Sequence, residues 1–356
     1  MKILNLQKYL REKKISFALF FNFEDKENPN YYYLSSYEGY GALLVPQDGK
    51  ATLFTAEMEW EKASKTVKEK NICVKRYKKK LLPMLKEIIK GKKKLGVDKS
   101  QITVEFYYRL KKFFKGKKLM DIAEPCRQLR AVKNDREIEY LRKACSISDS
   151  IISRCIGNFK KFKTEMDVSN FLGDETIRRG CKLAFPAIVA SGSGSSQPHY
   201  VPRKIRLKKG FCVIDFGVVY HGYRSDTTRT VYLGKPSLKE TDMYDLLLNT
   251  QLETAKHVKE NIICSKLYDK CVSELGRYSK YFIHGLGHGV GVEIHEMPNL
   301  RQDSKEKIRD GMVFTIEPGV YFTGKYGIRI EDTVMWCDGR LEILTKYPKK
   351  LIVIKR

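Results

Sequence analysis

Residues 211–233 read FCVIDFGVVYHGYRSDTTRTVYL. Apolar runs on both sides of His221-Gly222 argue for a β-hairpin with a two-residue loop, which sets Asp215 opposite Thr228 and diagonal to Asp226. Both aspartates then face the same side. An isolated carboxylate buried at the centre of a strand is very costly, so each needs a partner. An ion pair with Arg224 or Arg229 is the simplest solution.

A second acidic pair lies downstream. GMVFTIEPGVYF (311–322) and YGIRIEDTVMW (326–336) read as two strands joined by a glycine-containing turn, each with one glutamate amid apolar residues, Glu317 and Glu331. Strand alternation puts Arg329 on the face of Glu331, but one guanidinium cannot neutralise four acids. If Asp215, Asp226, Glu317 and Glu331 converge, they raise their own pKa values or destabilise the fold unless cations balance them. Two divalent ions supply the matching charge. Carboxylates bridging two metals, with an imidazole as a further ligand, make a site that binds and activates water.

The imidazole is expected from HGLGHGVGVEIHE (284–296), which holds three of the six histidines, with glycines at 285, 287, 289 and 291. His288 is the expected nitrogen ligand, on a loop whose glycines let backbone come close to the metals. His284 and His295 stand beside the site without ligating.

At 356 residues, two domains are expected. A composition 42% hydrophobic and 31% charged reads as soluble and globular, no segment reaches the length of an apolar membrane span, and the charged N-terminus does not resemble a signal peptide. A cytoplasmic location is expected. None of the nine cysteines forms a CxxC pair, so they read as reduced, mostly buried thiols. The net charge of +26 is concentrated in lysines of the first third, at helical spacing among apolar residues and without arginine-aromatic interleaving. That describes a solvated helix face, and no dedicated nucleic-acid site is expected. SGSGS at 191–195 lacks both the Lys-Ser/Thr ending and the following helix of a phosphate loop.

Along the chain, a helix over 2–13, a strand SFALFF, a hairpin in GALLVPQDGKATLFTA, a lysine-rich helix near 80–90, the strand KLGVD, a helix near 103–114 and the strand KLMDIA alternate as in a mixed α/β domain ending near Pro125. The second domain opens with a long helix whose Asn134 and Glu137 have capping-box spacing and whose Ile138, Leu141, Cys145, Ser148 and Ile152 mark one face. Thr164 and Asp167 start another helix that ends at Gly180. From 205 on strands dominate, broken by two helices between about 237 and 276.

The order Asp, Asp, His, Glu, Glu at 215, 226, 288, 317 and 331, in the contexts VIDFG, SDTTRT, HGLGHGVG, IEPG and IRIED, resembles the metallopeptidases of the aminopeptidase P and Xaa-Pro dipeptidase (prolidase) group. ASGSGSSQPH (190–199) is similar to the group's glycine-rich segment ending in a histidine, and LRAVKNDREIEYLRKA (129–144) to its linker helix. The match is strong over 125–350 and weaker before, through NPNYYYLSSYEGYGALLV (28–45). In one departure, KHVKENIICSKLYDK (256–270) lacks the Pro-Gly turn often found between the two helices there.

The resemblance implies an α/β (α+β) architecture: a creatinase-like α/β N-terminal domain over 1–125 and a pita-bread catalytic domain over 126–356. It implies that Asp226, His288, Glu317 and Glu331 hold one metal, and Asp215, Asp226 and Glu331 a second. Manganese is the usual ion, with cobalt, zinc or iron as alternatives. Glu317 would carry the proton, His199 and His295 would touch substrate and its oxyanion, His284 and Tyr321 would lie near the proline, and Arg329 would either touch substrate or stand behind the metal ligands. The implied activity is hydrolysis of the Xaa-Pro bond of proline-containing peptides, the dipeptidase slightly preferred to the aminopeptidase, by a homodimer with no membrane partner. Two rivals are a metal-free creatinase-like enzyme, which would lack the carboxylates, and a non-catalytic pita-bread binding protein using the basic surface for nucleic acid or an acidic partner.

Overall fold

The computed structural model describes residues 2–24, 26–78 and 80–355. The chain divides into two compact units, Met1–Arg130 and Ala131–Arg356. The first holds α1 (Lys2–Glu12), β1 (Phe17–Asn22), α2 (Pro29–Ser35), β2 (Gly41–Pro46), β3 (Ala51–Thr55), α3 (Glu57–Thr66), β4 (Ile72–Arg76), α4 (Leu81–Ile88), β5 (Lys94–Val97), α5 (Val104–Phe113), β6 (Lys118–Asp121) and α6 (Ala123–Ala131). Its six-stranded sheet runs β4-β3-β2-β1-β5-β6, with the antiparallel hairpin β2–β3 inside an otherwise largely parallel arrangement. Leu19, Phe21, Leu44 and Phe54 of the sheet pack with Leu85 of α4 and Leu110 of α5.

Sequence patterning misses α2, α3 and β4. In α2 the Asn28 side chain accepts the N–H groups of Asn30 and Tyr31, and Pro29 occupies the first helical position, where no N–H is needed. The division after Arg130 lies close to the boundary expected near Pro125, and Pro125 itself stands in the first turn of α6, where a proline removes no helical hydrogen bond.

The second unit opens with α7 (Asp135–Gly157) and α8 (Glu165–Arg178), each started by the expected capping box, from Asn134 and from Thr164. There follow β7 (Lys182–Leu183), β8 (Ile188–Ser191), β9 (Gly210–Phe216), β10 (Val218–Tyr220), β11 (Tyr223–Arg224), β12 (Thr227–Leu233), α9 (Leu238–Lys256), α10 (Cys264–Leu275), β13 (Gly287–Gly289), β14 (Glu296–Leu300), β15 (Met312–Ile316), β16 (Gly319–Phe322), β17 (Tyr326–Arg329), β18 (Asp332–Cys337), β19 (Arg340–Ile343) and β20 (Ile352–Ile354). Two sheets dominate, β20-β12-β9-β8 and β14-β13-β15-β18-β19. Ile151, Ile152 and Leu172 of α7 and α8 pack on Ile214 and Val231 of the first. Leu247 and Leu267 of α9 and α10 pack with Phe314 and Val334 of the second. All nine cysteines are free thiols, seven of them buried. No helix among the described residues is long and apolar enough to cross a membrane.

The hairpin of 211–233 forms in the expected register, Asp215 facing Thr228, about a loop in which His221 and Gly222 both take positive φ. Each arm breaks near its acid, at Gly217 and at Ser225-Asp226, and the tip joins β7 in a separate small sheet. Gly217 permits the break: a Cβ there would stand 1.8 Å from the Ser225 carbonyl oxygen. The later pair of strands is likewise four strands rather than two. The first run divides after Ile316 and the second after Arg329, so that Glu317 and Glu331 sit where the chain leaves one sheet for another.

Candidate active site

A cavity of about 320 Å³ is lined by Asp215, Asp226, Glu317 and Glu331, by His199, His284, His288 and His295, by Arg329, and by an apolar wall that includes Phe185, Ile188 and Ile294. All the residues singled out from the sequence lie on it except Tyr321. That side chain is buried behind the cavity, where its hydroxyl accepts from Arg329 Nη1 (2.7 Å) and meets His284 Nε2 (3.1 Å).

His288 is the middle residue of β13, not part of a loop. The flanking glycines serve the sheet: a Cβ on Gly287 would lie 2.0 Å from the Thr315 carbonyl oxygen, and one on Gly289 2.1 Å from that of Met297. Their role is to let β13 close on its neighbours, which aims the imidazole inward. His288 Nε2 stands 3.6 Å from Asp226 Oδ2 and 3.3 Å from Glu317 Oε1. Asp226, His288 and Glu331 each offer one ligand atom within 4.8 Å of the others, a grouping able to hold a metal ion.

Threonines that sequence reasoning passed over orient the acids. Thr228 Oγ1 donates to Glu331 Oε2 (2.7 Å) and accepts from Arg329 Nε (3.1 Å). Thr315 Oγ1 donates to Glu317 Oε1 (3.2 Å) and accepts the His288 N–H. The expected arginine partners of Asp215 are not the ones found. Arg229 turns away to Asp332 (2.8 Å), and Arg329 Nη2 reaches Asp215 Oδ2 at 2.5 Å.

Burial raises the pKa of all four acids. It lifts Glu317 to about 8, and Asp226 and Glu331 well above the carboxylate range, where neighbouring carboxylates add to the effect. Asp215 is raised less, because Arg329 opposes the burial. Burial also lowers His288 to about 3 and His284 to about 4, so both rings are neutral at pH 7. Asp215 Oδ1 is buried without a hydrogen-bond partner. Four acids around one guanidinium, an orphaned carboxylate oxygen and a neutral imidazole fit divalent cations, whose charge would hold the crowded carboxylates in the ionised, acceptor form that burial alone disfavours.

Residues 139–336 match the profile of Metallopeptidase family M24. The chain belongs to that family. Residues 2–132 match the Creatinase/Prolidase N-terminal domain, so this M24 metallopeptidase has the two-part architecture of a creatinase-like unit and a pita-bread unit. The Xaa-Pro dipeptidase of Pyrococcus horikoshii is 35% identical over 332 residues, 92% of this chain and 93% of the relative. Among solved structures, the prolidase of that organism superposes with a TM-score of 0.90 at 33% identity, covering 99% of each chain. The X-Pro aminopeptidase of Thermotoga maritima gives the same TM-score at 28% identity, covering 98% of this M24 chain and 100% of its own.

Proposed function

We propose that this metallopeptidase carries two divalent ions and hydrolyses the Xaa-Pro bond at the N-terminus of proline-containing peptides, Xaa-Pro dipeptides before longer ones. The observation that carries the reading is the meeting of Asp215, Asp226, Glu317, Glu331 and His288 in one small cavity beside a single guanidinium. Asp226, His288, Glu317 and Glu331 would hold one ion and Asp215, Asp226 and Glu331 the other. Manganese suits this oxygen-rich donor set, with cobalt, zinc or iron as substitutes. When bound, the ions polarise the scissile carbonyl and lower the pKa of water.

The chain's own residues supply the rest. Glu317, set at a strand end and held by Thr315, takes the proton of the attacking water and returns it to the departing proline nitrogen. His199 and His295 face the cavity and donate to the carbonyl oxygen as it gains charge. His284 has both nitrogens engaged, Nδ1 with the Gly285 carbonyl and Nε2 with Tyr321, so it offers the substrate a ring face. Proline's tertiary amide has no N–H and a fixed φ, so a cavity shaped around the ring selects it where peptidases reading an extended backbone fail. The Phe185, Ile188 and Ile294 wall provides the apolar surface.

The dipeptide preference rests on the small cavity and on the dipeptidase relatives; the fold alone does not separate the two activities, since a prolidase and an X-Pro aminopeptidase superpose equally well. A cytoplasmic homodimer completes the reading, its nine free thiols suiting a reducing compartment. The test is hydrolysis of Xaa-Pro dipeptides and Xaa-Pro-Xaa tripeptides by chelated and manganese-restored protein, beside Asp226→Asn. Metal-dependent cleavage of dipeptides alone supports the reading, release of the first residue from tripeptides reassigns it to an aminopeptidase, and no cleavage with any of the four metals overturns it.

A further inference from the structure

The segment between β8 and β9 brings two groups to the cavity from outside the strands that carry the acids. His199 lines the cavity, and the Pro198 carbonyl accepts from Arg329 Nη1 at 3.4 Å, the same guanidinium that holds Asp215. The segment also buttresses β17: Ser195 Oγ accepts the Gly327 N–H at 2.9 Å, and Gly327 packs so closely that a Cβ there would lie 2.2 Å from the Ser195 carbonyl oxygen. Its geometry therefore sets where an imidazole and a guanidinium stand.

Both ends of this segment are tied to one carboxylate. Glu165, the first residue of α8, is fully buried. Its Oε1 accepts the backbone N–H and the hydroxyl of Ser191, at 3.0 and 2.8 Å. Its Oε2 accepts the Tyr200 hydroxyl at 2.8 Å and the Arg203 N–H at 3.3 Å. Ser191 precedes the segment's glycine-rich turn, and Tyr200 follows His199 directly. Arg203 Nε donates in turn to the Tyr200 hydroxyl at 2.9 Å, closing the arrangement. An acid that bridges the two ends of a loop fixes their separation, and four donors on one buried carboxylate satisfy it fully.

We propose that Glu165 is a positioning residue: it clasps residues 191–203 into the closed loop that presents His199 to substrate and the Pro198 carbonyl to Arg329. The inference rests on the cavity being the reactive site. Glu165 touches neither substrate nor the acids and acts through His199 and Arg329. A helix-starting carboxylate that served α8 alone would bond to the α8 amides, yet every hydrogen bond of this side chain goes to the loop. The capping of α8 is done separately by Thr164 and Asp167.

The test uses the metal-loaded protein and Glu165→Gln, which keeps the volume and one acceptor oxygen but turns an N–H donor toward Tyr200 and Arg203. Misplacing a reacting group by about 1 Å costs about 100-fold, so a fall of that order in kcat is expected, with the bound metal unchanged. In that background His199→Ala should cost far less than in the parent chain. Hydrogen exchange should show the Ser191 and Arg203 amides losing protection. Tyr200→Phe, which removes the hydroxyl's donation to Glu165 and its acceptance from Arg203 but keeps the buried carboxylate, is the safer variant for folding and should lower kcat by about 10-fold, on the scale of the net worth of such bonds. A merely structural role would lower thermal stability and leave the His199→Ala effect multiplicative; that result, or unchanged kcat in both variants, overturns the inference. Should the parent chain cleave no Xaa-Pro peptide, the proposed activity has failed, and exchange alone decides the clasp: unaltered protection at Ser191 and Arg203 in Glu165→Gln overturns it.

Discussion

Arg329 Nη2 lies 2.5 Å from Asp215 Oδ2, a buried pair joined across 114 residues of chain. The same guanidinium donates through Nη1 to Tyr321 and through Nε to Thr228, so one planar group ties three elements to the acid cluster. A lysine keeps the charge and loses the fork. Arg329→Lys is therefore expected to retain bound metal and to lose about 100-fold in kcat/KM, the scale of a catalytic group misplaced by about 1 Å. Metal analysis beside steady-state kinetics checks it; near-parental kcat/KM would show that charge alone suffices.

Asp226 has three carboxylates as neighbours, and they raise its pKa after burial has done so. In chelated protein, Asp226→Asn removes one of four crowded acids, and its melting temperature should exceed that of the parent. Manganese should reverse the order. A ligand at 100 times its Kd stabilises by about 2.7 kcal/mol, a rise of roughly 5–10 °C in a domain of this size, and the variant should show little of it. An equal manganese-induced rise in both proteins would remove Asp226 from the ligand set.

Spacing and local patterning reach far into this molecule because much of the site is built from hairpins. A two-residue loop at His221-Gly222 dictates that Asp215 faces Thr228, whatever the rest of the chain does. The capping residues of α7 and α8 are equally local. What sequence hides is tertiary choice. Arg224, Arg229 and Arg329 look alike as partners for Asp215, and the selection of Arg329 depends on where β17 meets β9. Arg229 is drawn instead to Asp332, a fully buried acid that also holds Lys349 and that sits next to Glu331 without drawing notice in the sequence. The strand breaks at Gly217, Glu317 and Glu331 are invisible for the same reason: an apolar run does not reveal where it changes sheets.

Gly287 offers a steric test of how His288 is aimed. Any β-carbon at 287 would fall 2.0 Å from the Thr315 carbonyl oxygen, on backbone that cannot swing aside. Gly287→Ala must therefore push β13 off β15, moving His288 away from Asp226 and Glu317. Overpacking of this kind costs about 1–3 kcal/mol, so a fall of several degrees in melting temperature should accompany weaker metal binding. A folded variant with parental manganese affinity would show that the strand adapts without moving the ring.

Glu175 on α8 gathers three arginines: Arg179 at 2.6 Å, Arg154 of α7 at 3.0 Å and Arg178 at 3.6 Å. The Arg179 hydrogen bond, helped by the other two cations, holds its carboxyl below the ordinary value of 4.5 against the opposing effect of burial. An acid whose folded pKa is depressed stabilises above its unfolded pKa, and that stabilisation is lost as pH falls through the folded value. Glu175→Gln should thus melt lower than the parent at pH 7, by about 2–4 °C if the network is worth about 1 kcal/mol. The gap should close as the pH drops below 4.5 and shrink with added salt, because two of the three arginines, Arg154 and Arg178, are exposed. Melting curves of both proteins at pH 7 and at acid pH decide it: a gap that stays constant across the range would mean that Glu175 stabilises by packing, with its charge irrelevant.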